Sequence, residues 1–188
     1  MTKKFISKQV MIILIFGLFF IKPSNAEDFK DLFGLKIYEN TIKYFPKNFI
    51  KSNKFKNKET FKGFYDIEIT SEISDKNPFL SKYWIVVDES NVIQQISAEE
   101  QILDLEKCKD FKSQLVNIFH TKYNFKFEEK NFTHKDFYTH FHFTNVDNNK
   151  MLYIKCVNNF IEKNVTLLIS FESKQYLNRK KEYYEAGF

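Results

Sequence analysis

Four histidines are present among 188 residues, and two of them, His140 and His142, form an H-x-H pair. If the surrounding stretch is a strand, alternate side chains share one face about 6.5–7 Å apart. That is close enough for two imidazoles to hold one zinc or copper ion. A third ligand would come from His134, His120 or Asp136. The competing reading is a solvated sheet face that carries two histidines. Asp66 and Glu68 also share a strand face, which invites general acid–base chemistry, but their lysine-rich surroundings fit an exposed sheet surface better. No G-x-S-x-G, H-E-x-x-H, phosphate-binding loop or C-x-x-C occurs, so nothing sets a nucleophile beside a base. The expectation is a protein that binds rather than catalyses, with no cofactor other than a metal in the histidine reading.

Two further sets of residues bear on function. Lys47, Lys51, Lys54, Lys56 and Lys58 alternate with Phe45, Phe49, Phe55 and Phe61. Such a segment could dock on an anionic membrane, or it could be a solvated lysine loop with its aromatics turned inward. The chain has two cysteines, Cys108 and Cys156. An exported chain with one pair of cysteines is expected to join them as a disulfide.

Export is read from the first 26 residues. Lys3, Lys4 and Lys8 form a basic start, Val10–Ile21 is apolar apart from Gly17, and Ser24 and Ala26 are the small residues of a cleavage site. The expected cut lies between Ala26 and Glu27. An apolar run of about 12 residues is short of the ~20 that span a bilayer. The mature chain is thus expected in the periplasm or outside the cell. Four lysines and no acid lie within residues 1–26, so their removal lowers the formal net charge from +5 to +1. A nearly neutral chain gives no support to nucleic-acid binding. Residues 27–188 suffice for one domain with a sizeable core.

These candidates need elements to position them. A helix is expected from Glu39 or Asn40, interrupted by Pro46 and resumed over Lys47–Ile50. Strands follow at 63–70, Tyr83–Val87 and Val92–Ile96, the last two joined as a hairpin through Asp88–Asn91. Asp104 is the preferred start of a long helix, over a Ser97/Glu100 capping box. Its apolar stripe runs through Leu105, Cys108, Phe111, Leu115, Ile118 and Phe119, with Lys107, Lys109, Asp110, Lys112 and Gln114 facing water. Glu128–Lys130 reads as a charged linker. Strands are expected at Phe137–Thr144, Met151–Val157 and Val165–Phe171, then a helix capped by Ser173. The whole is an α+β domain, an antiparallel sheet with helices on one face. The order α-βββ-α-βββ-α suggests an internal duplication of 35–96 and 104–171.

This helix-then-meander order, with FGLKI opening the first helix, resembles the repeat of β-lactamase-inhibitor proteins and of small outer-membrane-assembly lipoproteins. The resemblance implies a tandem helix-plus-antiparallel-sheet fold and transfers no functional residue. Where those families carry Gly and Ser or Thr before the helix, Tyr38 and Glu39 stand here. The leading functional expectation is an exported, non-catalytic binding or assembly module that presents an open sheet face to a protein partner. The alternative is a protein that binds a metal or small ligand through His140 and His142.

Overall fold

The computed structural model describes residues 28–55, 62–73 and 76–185, with side chains to 182. The expected export segment, its Ala26–Glu27 cleavage site, and Lys56 and Lys58 lie outside the described residues. Asn40 caps a single 3-10 turn, Thr41–Lys43, by accepting the Ile42 N–H on Oδ1 at 3.1 Å. Pro46 then precedes α1 (Lys47–Asn53), at a position where its fixed φ and missing N–H cost nothing. Four strands follow: β1 (Lys54–Phe55), β2 (Phe64–Glu68), β3 (Lys82–Asp88) and β4 (Ile93–Ile102). The β3–β4 turn is closed by Asp88, whose Oδ1 accepts the N–H groups of Ser90 and Val92 at 2.9 and 3.0 Å.

The long helix α2 (Leu105–Tyr123) begins where expected, with Asp104 Oδ1 accepting the Lys107 N–H at 2.8 Å. It ends at Asn124 in the left-handed region (φ 56°), a conformation asparagine tolerates better than most residues. Four more strands, β5 (Glu128–Thr133), β6 (Phe137–Asp147), β7 (Lys150–Asn159) and β8 (Asn164–Ser173), lead into α3 (Lys174–Glu185). Ser173 caps this helix, its Oγ accepting the Tyr176 N–H at 3.0 Å.

All eight strands join one antiparallel sheet in the order β1-β2-β3-β4-β8-β7-β6-β5. Each half is a four-stranded meander, and the halves meet through their last strands. The expected three strands per half thus become four. The added strands differ in character: β1 has two residues, and the six residues of β5 are all exposed. Neither shows apolar alternation, so β5 reads as a linker from sequence. Ser97 and Glu100 cap no helix and belong to β4.

The main core lies on the sheet face covered by α1 and α2, here the inner face. Ile67, Ile85, Ile96, Ala98, Leu152, Ile154, Ile169 and Phe171 line it, with Ile50 from α1 and Cys108, Leu115 and Phe119 from α2. Phe29 fills the end of this layer, its ring 5.0–5.7 Å from those of Phe119, Tyr123, Phe125 and Phe171. Not every helix shares that face. Tyr176 of α3 packs with Phe64, Val86 and Trp84 in a separate cluster on the outer face. β8 runs directly into this helix without a loop, and the packing of Tyr176 seats it on the outer face.

Cys108 and Cys156 are joined as a disulfide with Cα atoms 5.9 Å apart, and both are fully buried. The bond ties the first turns of α2 to β7 across a separation of 48 residues. Closing a loop of that length restrains the unfolded chain by about 4 kcal/mol. Denatured, unreduced protein should therefore show no reactive thiol. The double substitution Cys108→Ser/Cys156→Ser should lower unfolding free energy by about 3–4 kcal/mol in urea titrations, and two titratable thiols would contradict the bond.

Candidate functional site

Strand β6 alternates as expected, but its faces are the reverse of what its composition suggests. Register places His140 opposite Cys156 and His142 opposite Ile154. Cys156 and Ile154 belong to the inner face, so both histidines lie against α2. The phenylalanines Phe137, Phe141 and Phe143 point to the outer face. The disulfide dictates this orientation: with Cys156 bound to α2, its cross-strand neighbour must face the helix too. The solvated histidine face of the sequence reading is therefore a half-buried one beneath α2.

Lys112 completes the cluster. It follows Cys108 by four residues and so shares its helix face, and its side chain is fully buried rather than facing water. Its ammonium lies 2.7 Å from His140 Nδ1 and 2.8 Å from His142 Nδ1. A lysine ammonium only donates, so both Nδ1 atoms accept and both imidazoles carry their proton on Nε2. His140 Nε2 then donates to Glu129 Oε1 at 2.5 Å. The same carboxylate oxygen is 3.7 Å from the Lys112 ammonium and 3.8 Å from His142 Nε2. Glu129 reaches the inner face because it pairs with His142 in the β5–β6 register.

Charge in this cluster follows from burial. Desolvation lowers the Lys112 pKa to about 8, against the pull of Glu129, which leaves it a cation at neutral pH. Burial and the Lys112 charge both push His140 and His142 below the usual histidine range. Burial raises Glu129, but His142, His140 and Lys112 outweigh it and hold its carboxyl below the ordinary value. The result is one ammonium shared between two neutral imidazoles and neutralised by one carboxylate.

That arrangement bears directly on metal binding. The two Nδ1 lone pairs converge on one point, as ligands would, and the Lys112 ammonium occupies it. The other proposed ligands are elsewhere. His134 Nδ1 is 3.4 Å from Asp136 Oδ2 at the β5–β6 turn, and His120 Nδ1 is 2.8 Å from the Phe125 carbonyl. Among the described residues no group of three or more His, Cys, Asp or Glu side chains is placed to hold a metal ion.

The remaining candidates are dispersed. Asp66 and Glu68 lie on the outer face, across the sheet from the histidines; Asp66 is buried and Glu68 exposed. In the lysine–phenylalanine segment Phe45 and Ile50 enter the core and Phe49 packs on Phe45 at 5.6 Å. Lys47 and Lys51 are exposed, whereas Lys54 binds Asn91 Oδ1 at 2.8 Å and stands 4.1 Å over the Tyr65 ring. Of the phenylalanines described in this segment, Phe55 alone is exposed.

The outer face carries two groups that spacing alone did not single out. At its centre Gln95 Nε2 donates to Ser97 and Ser170, Ser97 donates to Ser170, and Ser170 donates to Glu172 Oε1, all at 2.5–3.0 Å. Burial raises the Glu172 pKa, but Lys180, Lys155 and the Ser170 hydroxyl prevail and keep it low. Beside this network, on β6 and β7, Phe141, Phe143 and Tyr153 form an aromatic group with ring centroids 5.9–6.5 Å apart. Lys130 and Lys155 place ammonium groups 4.8 and 5.3 Å from the Phe143 and Tyr153 rings.

Comparison with protein-family models, with curated proteins and with solved structures gives no match to this chain.

The lowered histidine pKa values set a pH dependence. The unfolded chain takes up protons near pH 6.5, while the folded cluster resists them until lower pH. Stability present above pH 6.5 is therefore lost as pH falls toward the folded values. An imidazolium at either position would also face Lys112 on α2, and at His140 Lys109 as well, with Glu129 on β5 to offset them. Urea midpoints should drop between pH 7.5 and 5.5, and His140→Asn/His142→Asn should flatten that drop. An equal drop in the double variant would remove these histidines as its cause.

Proposed function

We propose that this chain is an exported, non-catalytic binding module that docks a protein partner on the outer face of β5–β7. The observation that supports this most is the aromatic group Phe141–Phe143–Tyr153. It is half-exposed on a sheet face, outside both apolar core clusters, while α3 rests on β8 and β4. Aromatic side chains with a cation on their rim are the residue types that concentrate binding energy in interfaces. The ammonium groups of Lys130 and Lys155 favour a partner surface that combines apolar and acidic side chains.

The non-catalytic part of the proposal rests on the histidine cluster. Its lysine is buried, its imidazole lone pairs are engaged, and its carboxylate already accepts a proton donor. The imidazole lone pairs that a general base would need are held by Lys112. The metal-binding alternative is not favoured, since a cation of the chain itself fills the point on which the imidazoles converge. Export is supported by the disulfide, which persists in oxidising compartments, and by the apolar start of the sequence. Among the described residues no helix is long and apolar enough to cross a membrane.

A photo-crosslinking residue at position 141 should capture one discrete partner in the native envelope, and the same residue at exposed Asn48 on α1 should not. Phe143→Ser with Tyr153→Ser should weaken capture at least tenfold, the scale of a hot-spot loss. Equal labelling from both positions, or none from 141, would defeat the proposal.

A further inference from the structure

The sheet has two edges, and they are unlike. β1 is two residues long, too short to template another strand. β5 runs for six residues, pairs with β6 in unbroken register, and is exposed along its whole length. Edge strands are ordinarily protected by proline, a bulge or a covering element. β5 has none of these among the described residues, and its one lysine, Lys130, is turned onto the outer face over the Phe143 ring.

Backbone geometry fixes what this edge offers. The His134 N–H donates to the Phe137 carbonyl at 2.8 Å, so these two residues form a hydrogen-bonded pair that continues the β5–β6 ladder. Such pairs alternate with non-bonded ones along an antiparallel ladder. Glu128, Lys130 and Phe132 therefore bond to Phe143, Phe141 and Thr139, and their backbone groups are engaged. The next ladder agrees in phase. The Phe160 N–H donates to the Asp136 carbonyl at 2.8 Å, so even-numbered residues of β6 bond to β7 and odd-numbered ones are left for β5. The N–H and C=O groups of Glu129, Asn131 and Thr133 consequently point away from the sheet, unpaired among the described residues.

These three residues are self-complementary. In a two-fold antiparallel pair of β5 strands centred on Asn131, Asn131 meets Asn131 of the second copy, and Glu129 meets its Thr133. Every outward residue then exchanges N–H···O bonds with the copy. The side chains suit the same register. Glu129 lies opposite a threonine hydroxyl, and on the outer face Lys130 lies opposite Phe132, a cation beside an aromatic ring. Centring the pair one residue earlier sets Lys130 against Lys130, and two residues earlier sets Glu129 against Glu129. Like charges directly opposite destabilise a sheet. Centring it one residue later moves Glu129 opposite Lys135, beyond the end of β5.

We propose that the free edge of β5 joins a second copy of this chain, in the register centred on Asn131, to make one continuous sheet across a two-fold axis. The contact lies in the plane of the sheet. It leaves the outer faces of β6 and β7 open and sets the two copies of that face side by side. It does not rest on the partner reading given above.

The test uses the chain from Glu27 onward, which contains every residue of both core clusters. Sedimentation velocity across a concentration series should show a monomer–dimer equilibrium. Asn131→Pro removes an N–H that points away from β6, so it should shift the chain to monomer with the urea midpoint unchanged. Position 133 gives two opposite shifts without altering the backbone, and decides the register even where proline disturbs β5. Thr133→Glu sets an acid opposite Glu129 of the copy and should raise the dimer dissociation constant about tenfold; Thr133→Lys sets a cation there and should lower it about tenfold. Three results overturn the proposal: a monomer at every concentration, which would leave the edge to a strand of another protein; a dimer indifferent to Asn131→Pro; or the same response to both substitutions at 133.

Discussion

Where β4 runs beside β8, Ile96 lies opposite Phe171 and Ala98 opposite Ile169 on the inner face, while Ser97 meets Ser170 and Gln95 meets Glu172 on the outer. This seam of eight residue pairs is the contact that makes two meanders into one sheet. Its centre is buried on both faces, Ile96 and Ala98 in the main core below and Gln95, Ser97 and Ser170 in the hydroxyl–carboxylate network above. Buried polar groups gain stability from satisfied hydrogen bonds, and side-chain bonds among Gln95, Ser97 and Ser170 bind the two halves laterally. The remaining architecture depends on this junction. α2 can lie across strands of both halves only because they share one face.

Beneath α2 the fold accepts a cost that an apolar residue would avoid. A buried ammonium loses its hydration and must be repaid by close partners. Lys112 obtains two imidazole acceptors and a carboxylate, on β6 and β5, the outermost strands of the second meander. Those strands extend beyond the reach of the aliphatic core, and the polar cluster attaches them to the helix. The disulfide and the lysine, four residues apart on α2, thus grip three consecutive strands, β7 covalently, β6 by hydrogen bonds and β5 by charge. The same grip turns β6 over, which leaves its phenylalanines as the open aromatic face.

Much of this was legible in the sequence where local rules are strong. The Asp104 cap, the Pro46 interruption, the Asp88 turn and the pairing of Cys108 with Cys156 each rest on a local or chemical constraint, and each stands. β5 was hidden because EEKNFT has no alternation to read: an edge strand with every side chain exposed leaves no apolar trace. Hydrophobicity points β6 the wrong way, since it favours burial of Phe141 and Phe143 over His140 and His142. The sequence does carry the opposing signal, since a buried Cys156 in a hairpin turning at Asp147–Asn149 forces its cross-strand neighbour His140 inward. Lys112 likewise occupies a stripe position by helical geometry, and only its charge argued otherwise. The placement of α3 on the outer face depends on the strand it leaves, and no local pattern encodes that.

The seam also governs the order in which the protein can be made. Ser97 and Ser170 are 73 residues apart in the chain, and synthesis delivers the first meander long before its neighbour. Until β8 arrives, β4 is a ten-residue edge carrying Ile93, Ile96 and Ala98 with half of its backbone hydrogen bonds unmade. Such an edge is a template for unwanted strand pairing, and a sheet closed by its last strand is slow to complete. The polar residues that alternate along β4, Gln95, Ser97 and Glu99, therefore act twice. In the finished molecule they meet β8 and Lys82, and in the nascent one they keep a waiting edge from sticking to another.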